Sequence, residues 1–164
     1  MPLSVGAKAP DFSLATKTAD GTKQIKLSDN FGKKSSVLLF FPMAFTGTCT
    51  QEMCNLTPEL PNYDGANAVV YGISGDNPFA QDAWAQKEKI GVTLLSDYEH
   101  KVAKEYGVAY DSFLPERNLG MGGVPKRAAF IVDKNGVIQY AEVREDAREL
   151  PDFDKIKIKL SELK

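Results

Sequence analysis

Cys49 and Cys54 are the only cysteines in a chain of 164 residues, and the surroundings of Cys49 suit a reactive thiol. The stretch from Val37 to Cys54 reads VLLFFPMAFTGTCTQEMC. Val37 to Phe41 are apolar without a break, the pattern of a strand buried on both faces. Pro42 then ends sheet pairing, because it has no N–H to donate. Beyond it Thr46 or Thr48 can cap a helix, and Glu52 sits where a carboxylate favours a positive helix start. Cys49 is therefore expected in the first turn of a helix that follows a central strand. Unpaired backbone N–H groups and the helix dipole there favour the thiolate, the reactive form of cysteine. The alternative is a small buried hydrophobe, as free cysteines often are.

Other residue types narrow the chemistry. The one histidine, His100, lies in Asp97-Tyr98-Glu99-His100-Lys101, a charged stretch read as a helix start with a solvated imidazole. A lone histidine there supports no Cys–His protease pair. Two cysteines and a remote histidine fall short of a structural zinc set, so no metal and no cofactor is expected. Thioredoxin-type disulfide exchange usually needs C-x-x-C, whereas Cys49 and Cys54 have four residues between them. Gly120-x-Gly122-Gly123 does not follow a strand and open a helix as a nucleotide fingerprint must. Taken alone, Arg127 reads as a surface salt bridge at a strand start and Glu52 as a solvated helix carboxylate.

The elements that must position these residues follow from periodicity. Phe12 to Thr16 and Lys23 to Leu27 flank Asp20-Gly21 as an N-terminal hairpin. Ser28 to Gly32 is a turn or a single helical turn. The Cys49 helix is expected to run until Pro58 or Pro61 interferes. Ala68 to Ser74 is a second buried strand; Asp76 or Asn77 then caps a helix that has Pro78 at its first position. Phe79, Ala83, Trp84 and Lys87 follow at helical spacing, with Trp84 read as core. Thr93 to Leu95 is short and apolar, and Ser96-Asp97 caps a helix with Val102, Ala103 and Tyr106 on one face. Asp111 to Val124 is a long loop rich in glycine and polar residues, long enough to serve function. Arg127 to Val132 is a third core strand, Asp133 to Gly136 a hairpin turn, and Val137 to Val143 the returning strand. Phe153, Ile156, Leu160 and Leu163 share one face of a final helix.

Pro42, Thr46 and Cys49 match the P-x3-T-x2-C signature of peroxiredoxins, and Thr50 and Glu52 continue it. The chain also resembles that family from Gly6-Ala7-Lys8-Ala9-Pro10-Asp11-Phe12 through Val124-Pro125-Lys126-Arg127-Ala128 to Phe130-Ile131-Val132-Asp133. The resemblance implies an α/β, thioredoxin-like fold: one domain over residues 1–164, with an added N-terminal β-hairpin and a central mixed sheet flanked by helices. The strand order comes from the resemblance alone. The implied activity is reduction of hydrogen peroxide and alkyl hydroperoxides. Cys49 would be the peroxidatic nucleophile, Pro42 would shield the pocket, and the Thr46 hydroxyl would donate to the thiolate or the substrate oxygen. Arg127 would be the active-site arginine, oriented by Glu52.

The C-x4-C spacing is similar to the peroxiredoxin Q type, in which the second cysteine, here Cys54, resolves the first as an internal disulfide. Thioredoxin or a glutaredoxin-like dithiol would then recycle it. Phe41 to Cys49, with Gly47 where that type often has proline, is more like the one-cysteine alkyl hydroperoxide reductase E group, in which Cys54 would have no resolving role. A non-catalytic holdase or interaction module of the same fold is a further alternative. Five residues on one regular helix separate Cα atoms by roughly 8.7 Å, beyond the about 7 Å that a disulfide spans. An internal disulfide therefore requires the helix to unwind.

Composition fits this reading. Hydrophobic content of 43% and charged content of 26% are ordinary for a globular chain. A formal charge of −2 gives no reason to propose nucleic-acid or membrane binding. MPLSVGAKAPDF lacks the basic segment and apolar run of a secretory signal. Two cysteines so close together do not form a disulfide framework, so a reducing cytoplasm is expected. Both monomer and homodimer occur among apparent relatives.

Overall fold

The computed structural model describes residues 1–164. The chain opens with a hairpin, β1 (Ser13–Thr18) and β2 (Gly21–Lys26), and one turn of 3-10 helix at Leu27–Asn30 leads to β3 (Ser35–Phe40). Helix α1 (Gly47–Leu56), a 3-10 turn (Thr57–Glu59) and α2 (Leu60–Gly65) precede β4 (Ala68–Ser74). Then come α3 (Pro78–Glu88), β5 (Thr93–Ser96) and α4 (Lys101–Glu105). After the long loop, β6 (Arg127–Val132) and β7 (Ile138–Arg144) form a hairpin, and α5 (Phe153–Leu163) ends the chain. All seven strands join one sheet in the order β2-β1-β5-β4-β3-β6-β7. β3, β4 and β5 run parallel, and the remaining pairings are antiparallel.

Every residue of β3 and β6 is buried, because helices cover both faces of the sheet and alternation sends side chains into two separate cores. Val37, Leu39 and Phe41 join Ala129, Ile131, Met53, Trp84, Ile156 and Leu160 on one face. Leu38 and Phe40 join Phe130, Ile73, Val102 and Tyr106 on the other. Helix α1 lies close on the first face. A methyl placed on Gly72 of β4 would stand 2.9 Å from Leu94 Cδ2 and 3.3 Å from Met53 Sδ.

Helix α1 ends at Leu56, two residues before Pro58, as expected. Pro58 and Pro61 each fall in the first turn of the next segment, where a missing N–H is not needed, so the chain continues as Thr57–Glu59 and then α2. Two expectations are corrected. Phe79 is 65% exposed while Trp84 is fully buried, so the apolar face of α3 does not include its first aromatic. His100 is not a solvated residue: it is half-buried, with φ +61 at the start of α4. Asp97 serves α4 as expected, its carboxylate accepting from the Val102 and Ala103 N–H groups.

The tight seat of α1 on β4 is testable. Gly72→Val should destabilise the fold by about 1–3 kcal/mol through overpacking, measured by urea denaturation. An unchanged midpoint would mean that Leu94, Met53 and Phe41 repack freely around the added methyls.

Candidate active site

The site forms where β3 stops. Phe41 N–H makes the last strand bond, to the Ile73 carbonyl, and Pro42 then leaves the sheet. Asp76 holds the turn that follows: its Oδ2 accepts from Ala44 N–H at 2.8 Å and from Ser74 Oγ at 2.7 Å. Phe45 adopts φ +65, a conformation few bulky residues take. Thr46 occupies the N-cap backbone position of α1, and its carbonyl receives the Thr50 N–H. Cys49 therefore stands in the first turn, as expected, and is 2% exposed.

Arg127 meets it from β6. Phe40 pairs with Ala128 across the two strands, so the next position outward sets Arg127 beside the exit of β3, on the α1 face. Arg127 Nη2 donates to Cys49 Sγ at 3.1 Å, Nη1 to Glu52 Oε1 at 2.7 Å, and Nε to the Ala147 carbonyl at 3.0 Å. Neither Arg127 nor Glu52 is a surface group; both are fully buried. Burial works against the guanidinium charge, but Cys49 and Glu52 outweigh it and hold Arg127 above its usual value. Burial also pushes the Glu52 carboxyl up to about 7, with Arg127 only partly offsetting the rise. Glu52 Oε2 is buried with no hydrogen-bond partner. Lys126 makes no bond to the sulfur and pairs instead with Glu145 at 2.9 Å.

The remaining expected residues divide. Pro42 is buried and, with Thr46, Cys49 and Arg127, lines a cavity of about 740 Å³. The Thr46 hydroxyl neither caps α1 nor points its proton at the sulfur. It donates to the Met43 carbonyl at 2.7 Å, because the turn brings that acceptor within reach first. Cys54 lies on the same unbroken helix but in a different environment, its Sγ 3.7 Å from the Glu88 carbonyl. Burial, and then the Glu88 charge, push the Cys54 thiol up. Both cysteines are free thiols.

Several contributors have no sequence signal. The Ala147 carbonyl is presented by a turn that the Asp146–Arg148 pair ties together. Residues Ser112 to Leu119 form the outer cavity wall, which the length of their loop hinted at without naming contacts. Trp84 Nε1 donates to Thr50 Oγ1 at 3.0 Å, linking α3 to the turn that carries Cys49. A separate cavity of about 520 Å³ between β1 and α4 contains neither cysteine.

The family model described as AhpC/TSA matches residues 5–141. The chain belongs to the AhpC/TSA family. Among its relatives, the chloroplastic peroxiredoxin Q of Triticum aestivum is 40% identical over 138 residues, covering 84% of this chain and 58% of that protein. Alkyl hydroperoxide reductase E of Mycobacterium tuberculosis is 32% identical over 145 residues, covering 87% of each. The chain thus spans less than three fifths of the length of the wheat relative. The peroxiredoxin-like protein from Aquifex aeolicus superposes with a TM-score of 0.84 at 26% identity, over 99% of this chain and 89% of that one. The reduced 2-Cys peroxiredoxin of Plasmodium vivax gives 0.83 at 28%, over 97% and 81%. The seven-stranded sheet flanked by helices is thus the thioredoxin-like fold of this AhpC/TSA family.

The buried carboxyl makes stability depend on pH. The folded value of about 7 lies above the ordinary 4.5, so between them the folded chain keeps a proton that the unfolded chain has released. That stabilisation is complete below the lower value and is lost as pH rises through the upper one. Glu52→Gln keeps the shape without the titration. Wild type should lose stability relative to this variant as pH rises from about 4.5 to about 7, read from urea midpoints at each pH. Parallel profiles would mean that Glu52 does not titrate in that window.

Proposed function

We propose that this chain is a thiol-dependent peroxidase, a peroxiredoxin that reduces hydrogen peroxide and alkyl hydroperoxides. One observation carries the reading: a buried sulfur in the first turn of a helix, with a fully buried guanidinium donating to it at 3.1 Å. An arginine stays charged and offers donors in a fixed fork, which suits the anion that develops as an O–O bond breaks. The Cys49 thiolate attacks one peroxide oxygen. The sulfur–oxygen bond forms as the O–O bond breaks, giving a sulfenic acid and an alkoxide or hydroxide that takes up a proton. Because the Thr46 proton goes to Met43, its oxygen is left to accept the O–H of the attacked peroxide oxygen. This reverses the donor role expected from the sequence. Pro42 and the packing that leaves Cys49 2% exposed keep bulk water from the sulfur.

The sulfenic acid is then resolved by Cys54, which forms the internal disulfide and releases water; thioredoxin or a glutaredoxin-like dithiol restores both thiols. For this, α1 must unwind, since an unbroken helix sets the two Cα atoms roughly 8.7 Å apart. Unwinding also frees Cys54 from the burial and the Glu88 charge that keep it a thiol. The same contacts favour a second reading, a one-cysteine enzyme in which Cys54 never leaves Glu88 and an external thiol reduces Cys49. Residues 1–164 act as one domain. Free thiols suit a reducing compartment such as the cytoplasm, and no helix is long and apolar enough to cross a membrane.

Cys49→Ser should abolish peroxide consumption, since serine supplies no comparable nucleophile near neutral pH; retained turnover would end the assignment. Thr46→Val should slow the peroxide step by roughly tenfold to a thousandfold, as loss of one preorganised partner does. An unchanged rate constant would reduce Thr46 to a loop tether. For Cys54, intact mass after one equivalent of peroxide decides between the readings. Loss of two hydrogens, with a change in Trp84 fluorescence as Thr50 moves away, indicates the internal disulfide. Gain of oxygen with Trp84 unaltered indicates the one-cysteine enzyme.

A further inference from the structure

His100 takes no part in the site described above, yet its ring touches both segments that support the cavity walls. A methyl placed on Gly75 would stand 2.3 Å from the ring Cε1 and 2.7 Å from Nδ1. One placed on Gly123 would stand 3.1 Å from Cγ and 3.2 Å from Cδ2. The imidazole thus fills space that a larger residue at 75 or 123 would occupy. Its Nδ1 is buried with no hydrogen-bond partner, so the ring is held by packing and not by a polar bond. The backbone at His100 has φ +61, uncommon for a residue with a side chain.

Each glycine belongs to a support of one wall. Gly75 lies between Ser74 and Asp76, and the Asp76 carboxylate fixes Ala44 N–H in the turn that carries Pro42 and Thr46. Gly123 closes the long loop: its N–H donates to the Tyr110 carbonyl at 2.8 Å, and Tyr110 N–H donates to the Val124 carbonyl at 2.8 Å. That loop supplies the outer wall, Ser112 to Leu119. One ring therefore sits against the β4–α3 turn on one side and against the root of the loop on the other.

We propose that His100 is a positioning residue that sets the spacing between the two cavity walls, and thereby how well a bulky peroxide is held. This rests on the peroxidase reading and extends it. Hydrogen peroxide is small enough to be held by Cys49, Thr46 and Arg127 alone. An aryl hydroperoxide also reaches the loop wall, and small misplacements of a wall cost rate steeply. Loss of the ring loosens the loop root, while Thr46 keeps its bond to the Met43 carbonyl and Arg127 its bonds to Cys49 and Glu52.

The test uses His100→Asn, because asparagine tolerates the left-handed backbone and so removes the ring with little added strain. The rate constant for cumene hydroperoxide should fall roughly tenfold, while that for hydrogen peroxide stays within about twofold. Gly75→Ala, which displaces the ring instead of deleting it, should move the ratio in the same direction. Hydrogen exchange at the Tyr110 and Gly123 amides reads the brace without turnover, and both should exchange faster in His100→Asn. An unchanged ratio in His100→Asn and Gly75→Ala overturns the proposal. So does an equal loss with both peroxides, which would make His100 a stability residue only. If wild type consumes no peroxide but the amides still exchange faster, the peroxidase reading fails and the brace stands.

Discussion

One buried guanidinium serves two acidic groups, and most of the site follows from that. A charged arginine at 1% exposure is tolerable only if its donors are satisfied and its charge is met. Cys49 Sγ, Glu52 Oε1 and the Ala147 carbonyl supply the partners. Burial nonetheless pushes the Glu52 carboxyl up to about 7, and one of its oxygens is left unpaired.

The sheet exists, in this respect, to bring Arg127 to that point. It is separated from Glu52 by 75 positions in sequence, so only the antiparallel register of β3 and β6 can join them. Parity does the rest. Arg127 shares the face of Ala129 and Ile131, the face on which Met53 of α1 packs, while Lys126 turns to Glu145 on the surface. A slip of one residue between β3 and β6 would exchange the two cations, and the sulfur would face a lysine without the fork. The close seat of α1 over Gly72 fixes the other half of the encounter.

What the sequence made legible was what depends on local pattern. Ala68 to Ser74, Arg127 to Val132 and the final helix were readable because unbroken apolar runs and helical spacing leave little choice. That Cys49, Pro42 and Arg127 come together at one cavity was readable through the family signature. The Glu52–Arg127 pair was visible only through that resemblance, since a helix carboxylate and a strand arginine carry no local sign of meeting. Strand order was beyond periodicity for the same reason. The direction of the Thr46 hydroxyl was not legible, because it is set by where the Pro42–Phe45 turn brings the Met43 carbonyl. His100 was misjudged because its burial is made by two glycines far away in sequence, and charged neighbours said only that the segment was exposed.

The uncapped start of α1 ties these threads together. Most helices satisfy their first N–H groups with a side chain at the N-cap. Here the Thr46 side chain makes no cap bond, and Phe45 before it holds an unfavourable backbone conformation. Both features weaken the first turn, yet both serve a thiol placed there. Uncapped N–H groups remain free to face a sulfur anion or an incoming oxygen, which a capping hydroxyl would otherwise occupy. A weakened first turn is also the part of a helix that opens most easily. In the proposed reading, the condition that suits attack by Cys49 is also the one that eases bringing Cys54 towards it. A well-capped α1 would hold the two cysteines apart more firmly and occupy those donors at once, so the proposed chemistry favours a weaker helix start.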